Sequence, residues 1–203
     1  MDAEQIAEAR RHVRRFRRGV VRVDGESGPC AFIIDGADGC LVMPNGDDLT
    51  EAGDLVVYVP DDGFTEMALL VSATDDVGPF DEARDRYLAY HGRARGVGWF
   101  RCRVDSAKWG GVVYSGADLL GPNTLREIEP GLCKMINGDR EALARVSELL
   151  TRVRPENPLC VGVDQLGMDV RTRVGVIRVE WPAEITGADQ ARGVIDALLK
   201  GAA

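Results

Sequence analysis

Histidine is scarce in this chain of 203 residues: there are two, His12 and His91. His91 lies in the stretch Asp85–Gly116, which also holds two of the three tryptophans and a cluster of arginines. An unperturbed imidazole titrates at about pH 6.5, so His91 can exchange a proton near neutrality. Arg93, Arg95, Arg101, Arg103 and Lys108 follow it, and a guanidinium grips carboxylate or phosphate through a two-pronged fork. Trp109 precedes Gly110-Gly111, and paired glycines let a planar ring approach an indole closely. Together these types suit a polar, anionic ligand held on a sheet. Each also has a plainer reading. His91 can be a strand histidine bonded to a neighbour, the arginines can pair with cross-strand carboxylates, and Trp109 can pack in a core or an interface.

Other chemistries find no pattern to support them. There is no G-x-S-x-G elbow, no P-loop and no H-E-x-x-H. Gly-Val-Gly at 96–98 reads as a strand-to-strand turn that opens no helix, which argues against a dinucleotide fingerprint. The acids Asp47, Asp48, Glu51, Asp54, Asp61 and Asp62 lack calcium-loop spacing and read as solvated loops. Five cysteines, Cys30, Cys40, Cys102, Cys133 and Cys160, are odd in number and widely spaced, with no C-x-x-C pair. They read as reduced, buried thiols, not as a disulfide framework or a zinc site. A net charge of −8 disfavours general nucleic-acid binding. No window reaches the ~18 apolar residues of a membrane span, and the N-terminus is a polar helix, not a signal peptide. The expectation is a cytoplasmic protein without membrane contact.

The elements that must position these residues follow from period and punctuation. Residues 2–18 read as an amphipathic helix capped by Asp2, with Ile6, Ala9, Val13 and Phe16 on one stripe. The other face carries the Arg10–Arg18 cluster, which either pairs with nearby carboxylates or meets phosphate, as of a nucleic acid, or an acidic partner. Short β-rich runs follow at Val20–Val23, Cys30–Ile34, Cys40–Met43, Leu55–Val59 and Met67–Ser72, stopped by Asp24-Gly25, Pro44 and Pro60. Residues 74–82 read as a loop or short helix. Arg86–Ala94 and Trp99–Val104 read as the sixth and seventh strands, with Tyr87, Ala89, His91 and Arg93 sharing one face, and Gly110–Tyr114 as an eighth. This spacing indicates an antiparallel sheet or barrel.

After Gly121-Pro122-Asn123 the pattern turns α/β. A helix begins at Pro130, and Asp139 caps another that ends before Pro155. Strands are expected at Leu159–Val163, Met168–Thr172 and Val174–Val179. A last helix follows Thr186, with Asp189 closing a capping box and Gly201 as C-terminal cap.

The order of elements resembles the split-barrel proteins related to pyridoxamine-phosphate oxidase, and within them the haem-utilisation type with a C-terminal α/β domain. Asp38–Pro44 is similar to that family's first hairpin, Met67–Val71 to its next inner strand, and Arg86–Ala94 to the strand ending in Gly-Arg-Ala. Phe100–Gly111 resembles the paired strands after it. Further on, Met135–Asp139 is similar to a Met-Asn-x-Asp-His segment, with Arg140 in place of the histidine, and Gly162–Arg171 to a Gly-Ile-Asp-x-x-Gly-Leu-Asp-Leu strand pair.

The resemblance implies an α+β fold, with an antiparallel split β-barrel over 1–120 followed by a small α/β domain over 121–203. It implies an oxidoreductase-like homodimer with flavin mononucleotide (FMN) or haem at the subunit interface. His91 is then a candidate haem ligand, Arg93 and Lys108 offset the cofactor's negative charge, and Trp109 stacks on it. The alternative is a non-catalytic dimer acting as an interaction or regulatory module with a degenerate cofactor site. Pro60–Glu66, with three acids and one threonine, favours it, because phosphate wants cations or free N–H groups.

Overall fold

A computed structural model describes residues 2–46, 48–60, 66–75, 82–95 and 98–201. The chain forms two compact units, 1–122 and 123–203. The fold class is α+β, with a curled antiparallel sheet in the first unit and a small sheet with helices in the second.

The first helix, α1 (Ala3–Arg14), opens with a capping box in which Asp2 accepts from the Glu4 N–H and Gln5 reaches back to the Asp2 N–H. It is shorter than the expected span because Arg17 folds back, its Nη1 donating to the carbonyls of Arg14 (2.9 Å) and Phe16 (2.7 Å). A side chain that satisfies terminal carbonyls ends a helix as a C-cap does. Ala9 and Val13 on the apolar stripe are fully buried.

Strands β1 (Arg18–Val23) and β2 (Glu26–Ala31) form a hairpin across Asp24-Gly25, whose φ angles of 48° and 92° are those of a tight hairpin turn. Strands β3 (Ile33–Ile34), β4 (Leu41–Asn45), β5 (Leu55–Val59), β6 (Met67–Asp75), β7 (Gly98–Trp109) and β8 (Val112–Ser115) complete the sheet. Its order is β2-β1-β5-β6-β7-β4-β3, with β8 also on β7. The two ends of that order, β2 and β3, are one run of chain broken only at Phe32. The sheet therefore closes through a covalent link, as a split barrel does. Gly19 is obligatory where β1 runs against β5, since a Cβ there would overlap the Tyr58 carbonyl oxygen. Phe32, Leu41, Met43, Val57, Val59, Leu69 and Cys102 fill the interior. Pro44, expected to stop the third strand, sits inside β4 opposite Trp99. Beyond Val42 that strand has only β7 beside it, so the missing N–H costs no ladder bond on the other side.

One expected strand is a helix. Residues Glu82–His91 form α2, burying Ala83, Tyr87 and Tyr90 at a spacing of four and three. The segment has no Val, Ile or Thr, carries Glu82 and Asp85 in its first turn, and ends on Gly92 with φ 75°. The Gly92 N–H donates to the Leu88 carbonyl at 2.8 Å, which is the left-handed helix cap. The alternating face of Tyr87, Ala89, His91 and Arg93 therefore does not exist. Residues 96–97 of the Gly-Val-Gly turn lie outside the described residues, and what precedes them is a helix end, not a strand. A short helix, α3 (Gly116–Leu119), closes the unit.

In the second unit, α4 (Glu129–Asn137) and α5 (Arg140–Thr151) precede the sheet β11-β10-β9, made of β9 (Leu159–Asp164), β10 (Gly167–Arg171) and β11 (Val176–Glu180). Asp139 caps α5 through the Ala142 N–H, as its sequence position predicts. β11 begins later than expected, because Thr172 and Gly175 close a turn with a 2.7 Å backbone bond. The last helix, α6 (Ala188–Gly201), is capped differently from expectation. Gln190, not Asp189, bonds Thr186, and Gly201 is the helix's last residue. Among the described residues no helix is long and apolar enough to cross a membrane.

Candidate functional site

His91 ends α2 beside a cleft of about 420 Å³ that lies within the first unit. Arg18 and Gly19 at the start of β1, Pro29–Ala31 on β2, Pro44 on β4, and Tyr87, His91, Arg93 and Arg95 line it. The helix geometry explains the pairing of Tyr87 with His91. Residues four apart share a helical face, and the two rings stand 4.5 Å apart. Behind them the Trp99 ring meets Tyr87 edge-on at 5.2 Å, and the Arg84 guanidinium lies 5.4 Å over Trp99.

The His91 ring is anchored, with Nε2 3.0 Å from the Phe32 carbonyl oxygen. A carbonyl only accepts, so Nε2 carries the proton and the lone pair is on Nδ1. Burial pushes the imidazole's pKa down from its usual value, the nearby Arg18 and Arg17 charges add to this, and the Phe32 bond opposes it. His91 is thus a neutral imidazole at pH 7, oriented by backbone. Burial likewise raises the Tyr87 hydroxyl's pKa, helped by Cys30 and opposed by Arg18. Arg18, Arg93 and Arg95 are exposed, and none forms an ion pair among the described residues. Three such cations on one cleft make a surface for an anion.

The structure separates the four residues the sequence reading grouped. His91 and Arg93 line the same cleft, while Lys108 and Trp109 do not. Trp109 stands ten residues along β7 from Trp99, roughly 33 Å at 3.3 Å per residue if extended. There it stacks on His12 at 4.4 Å and packs against the barrel core. Lys108 is exposed, in register with Ala68 and Val113. Arg101 is held between Asp35 (2.5 Å) and Asp38 (3.0 Å), and Arg103 pairs with Asp105. Both are paired with carboxylates, though not across strands as expected: Asp105 lies on β7 itself, and Asp35 and Asp38 lie in the turn between β3 and β4. Arg18 and Cys30 are the residues the sequence reading missed. Arg18 was grouped with a helical arginine run, yet it opens β1, while Arg14 and Arg17 of that run are buried. The available signal was the change of period at Gly19.

Among the described residues no group of His, Cys, Asp and Glu is arranged to hold a metal. Asp48 serves its own turn, accepting from the Thr50 N–H and hydroxyl, and Asp24 accepts from Gly53 and Asp54. Asp47, Asp61 and Asp62 lie outside the described residues. In the second unit the Asp164–Asp169 segment is structural. Asp164 Oδ1 accepts from the N–H groups of Leu166 and Gly167, and buried Arg178 bridges Asp164 and Asp169.

The fold and this cleft define an α+β protein built on an antiparallel split barrel with an arginine-rimmed cleft. A solved structure of like architecture is the protein Atu2129, of unknown function, from Agrobacterium tumefaciens str. C58, at TM-score 0.77 and 17% identity over 96% of this chain and 95% of that one. A haem binding protein from Mycobacterium smegmatis aligns at TM-score 0.46 and 19% identity over 100% and 98% of the two chains, a likeness too loose to carry inference. No family model and no curated protein matches the chain.

Proposed function

We propose that this chain is a binding protein for a small, planar, anionic cofactor of the FMN or haem class, held in the His91 cleft. The observation that carries this reading is the convergence of Arg18, Arg93 and Arg95 with the Tyr87 and His91 rings on one cleft. Its volume of about 420 Å³ falls in the range of small-molecule sites. In this reading the phosphate or propionate arms face the guanidiniums, and the flat ring lies near Tyr87 and His91. The cofactor supplies any redox chemistry when bound, and the protein's part is to bind and orient it. His91 acts here through its ring and its Nδ1 acceptor. Coordination of iron by Nε2 would require breaking the bond to Phe32, so we do not assign it that role.

A second reading keeps the barrel as a homodimerisation module with a degenerate cofactor site. The outer sheet face favours it: Leu70 (46% exposed) and Val113 (62%) flank Lys108, and register puts all three on one side. Both readings place a homodimer in the cytoplasm. Titration of the purified protein with FMN and with haem, followed by absorbance, separates them. Saturable binding of one, weakened by R93A/R95A, supports the cofactor reading. A protein that binds neither leaves only the dimer module.

A further inference from the structure

The second unit contains a pair of thiols that the cofactor reading does not use. Asn137, at the end of α4, holds the backbone of Cys160 on β9 from both sides. Its Nδ2 donates to the Cys160 carbonyl at 2.9 Å, and its Oδ1 accepts from the Cys160 N–H at 2.8 Å. Cys133 sits one helical turn before Asn137, on the same face of α4. The clamp that fixes Cys160 therefore delivers the Cys133 side chain to it, and the two Sγ atoms are 3.8 Å apart. Cys160 is buried and Cys133 is half-buried. Cys30, Cys40 and Cys102 all belong to the other unit.

We propose that Cys133 and Cys160 form a reversible dithiol–disulfide couple, a redox modification site that exchanges with low-molecular-weight disulfides of the glutathione class. The Cys133 thiolate, the more accessible of the two, attacks one sulfur of the small disulfide. That S–S bond breaks, one small thiolate leaves and takes up a proton, and a mixed disulfide remains on Cys133. Cys160 then loses its proton and attacks Cys133 Sγ, expelling the second small thiol. Two protein thiols are oxidised, one small disulfide is reduced to two thiols, and no other reactant is needed. Closing the bond takes the sulfurs from 3.8 Å to about 2.05 Å. The order of attack follows from the surroundings. The Cys160 thiol's pKa is pushed well above its usual value by its hydrogen bond to Cys133 and by burial, so it does not begin the exchange.

The test is to incubate the full chain with oxidised glutathione, trap remaining thiols by alkylation, and map peptides without reduction. The expected result is a Cys133–Cys160 cross-linked peptide and two fewer alkylated thiols per chain, both reversed by dithiothreitol. Cys160→Ser should accumulate glutathione on Cys133, whereas Cys133→Ser should leave Cys160 unmodified. The proposal is overturned if the wild-type protein stays fully reduced, if it stops at a mixed disulfide, or if other cysteines cross-link instead. Modification of Cys160 in the Cys133→Ser variant, with native circular dichroism, overturns the assigned order of attack.

Discussion

At the scale of single residues, His91 shows how one hydrogen bond fixes the chemistry available to a side chain. Its Nε2–H is committed to the Phe32 carbonyl, so it accepts through Nδ1, while burial, against that bond, holds its pKa below the usual value. A histidine whose folded pKa is depressed binds fewer protons folded than unfolded. Its contribution to stability is complete above the unfolded value of about 6.5 and is lost as pH falls below that, towards the folded value. His91→Gln keeps a donor for Phe32 but does not titrate. Urea midpoints at pH 7 and pH 5 should therefore fall less in His91→Gln than in the wild type, and an equal fall would remove this account. The arginines make a second prediction. Arg93 and Arg95 are exposed, so each contact with a cofactor anion should contribute about 1 kcal/mol, or about fivefold in affinity. R93A/R95A should weaken FMN or haem binding roughly 25-fold by absorbance titration while leaving the thermal midpoint within a degree or two. Arg93 was named as an anion-binding candidate from its residue type, and the fold puts it on the cleft, though not on the strand face expected for it. Arg18 was not, because His91, which lines the same cleft, is 73 positions away in sequence and only the fold brings the two together.

At the scale of elements, most of the barrel was readable because its strands are short, β-branched and bounded by turn residues. Leu55–Val59 matches its expected limits, and Val20–Val23 and Met67–Ser72 fall inside observed strands. Arg86–Ala94 was misread because a short window, Tyr-Leu-Ala-Tyr-His, alternates well enough to imitate a strand. Starting the window at Glu82 restores the helical period of Ala83, Tyr87 and Tyr90 and the acidic first turn. The lesson is physical: amphipathic period is ambiguous over five residues and settled over ten. The Asn137 clamp is another feature that sequence reading saw only as part of a family-like segment. It closes two backbone groups of a buried strand residue, and a lost partner there leaves buried polar atoms unsatisfied. Asn137→Ala should destabilise the second unit by about 2 kcal/mol, read as a lower urea midpoint. Asn137→Asp should recover the N–H contact but not the carbonyl one, and fall between.

At the scale of the whole molecule, each unit has its own core. The first is centred on Phe32, Leu41 and Leu69, the second on Leu143, Val170 and Trp181. The units divide after Pro122, and the polar centre of the second unit leaves no mark in local sequence. There Arg178, with its side chain 3% exposed, lies between Asp164 and Asp169, and nothing in local sequence links those positions. The outer sheet face offers one test of assembly. If Leu70, Lys108 and Val113 meet a second copy, Val113→Asp should convert a dimer to a monomer by light scattering without changing the fold. Arg178 tests the independence of the two cores. Removing a buried cation leaves two buried carboxylates facing each other, and breaking such a pair costs roughly 3–5 kcal/mol. Arg178→Met, close in volume and without charge, should therefore lower the unfolding transition of residues 123–203 in calorimetry. The transition of residues 1–122 should stay in place, and so should any cofactor binding of the kind proposed for the His91 cleft, because none of its lining residues belongs to the second unit. A single transition that moves as a whole would show instead that the two cores unfold as one cooperative system.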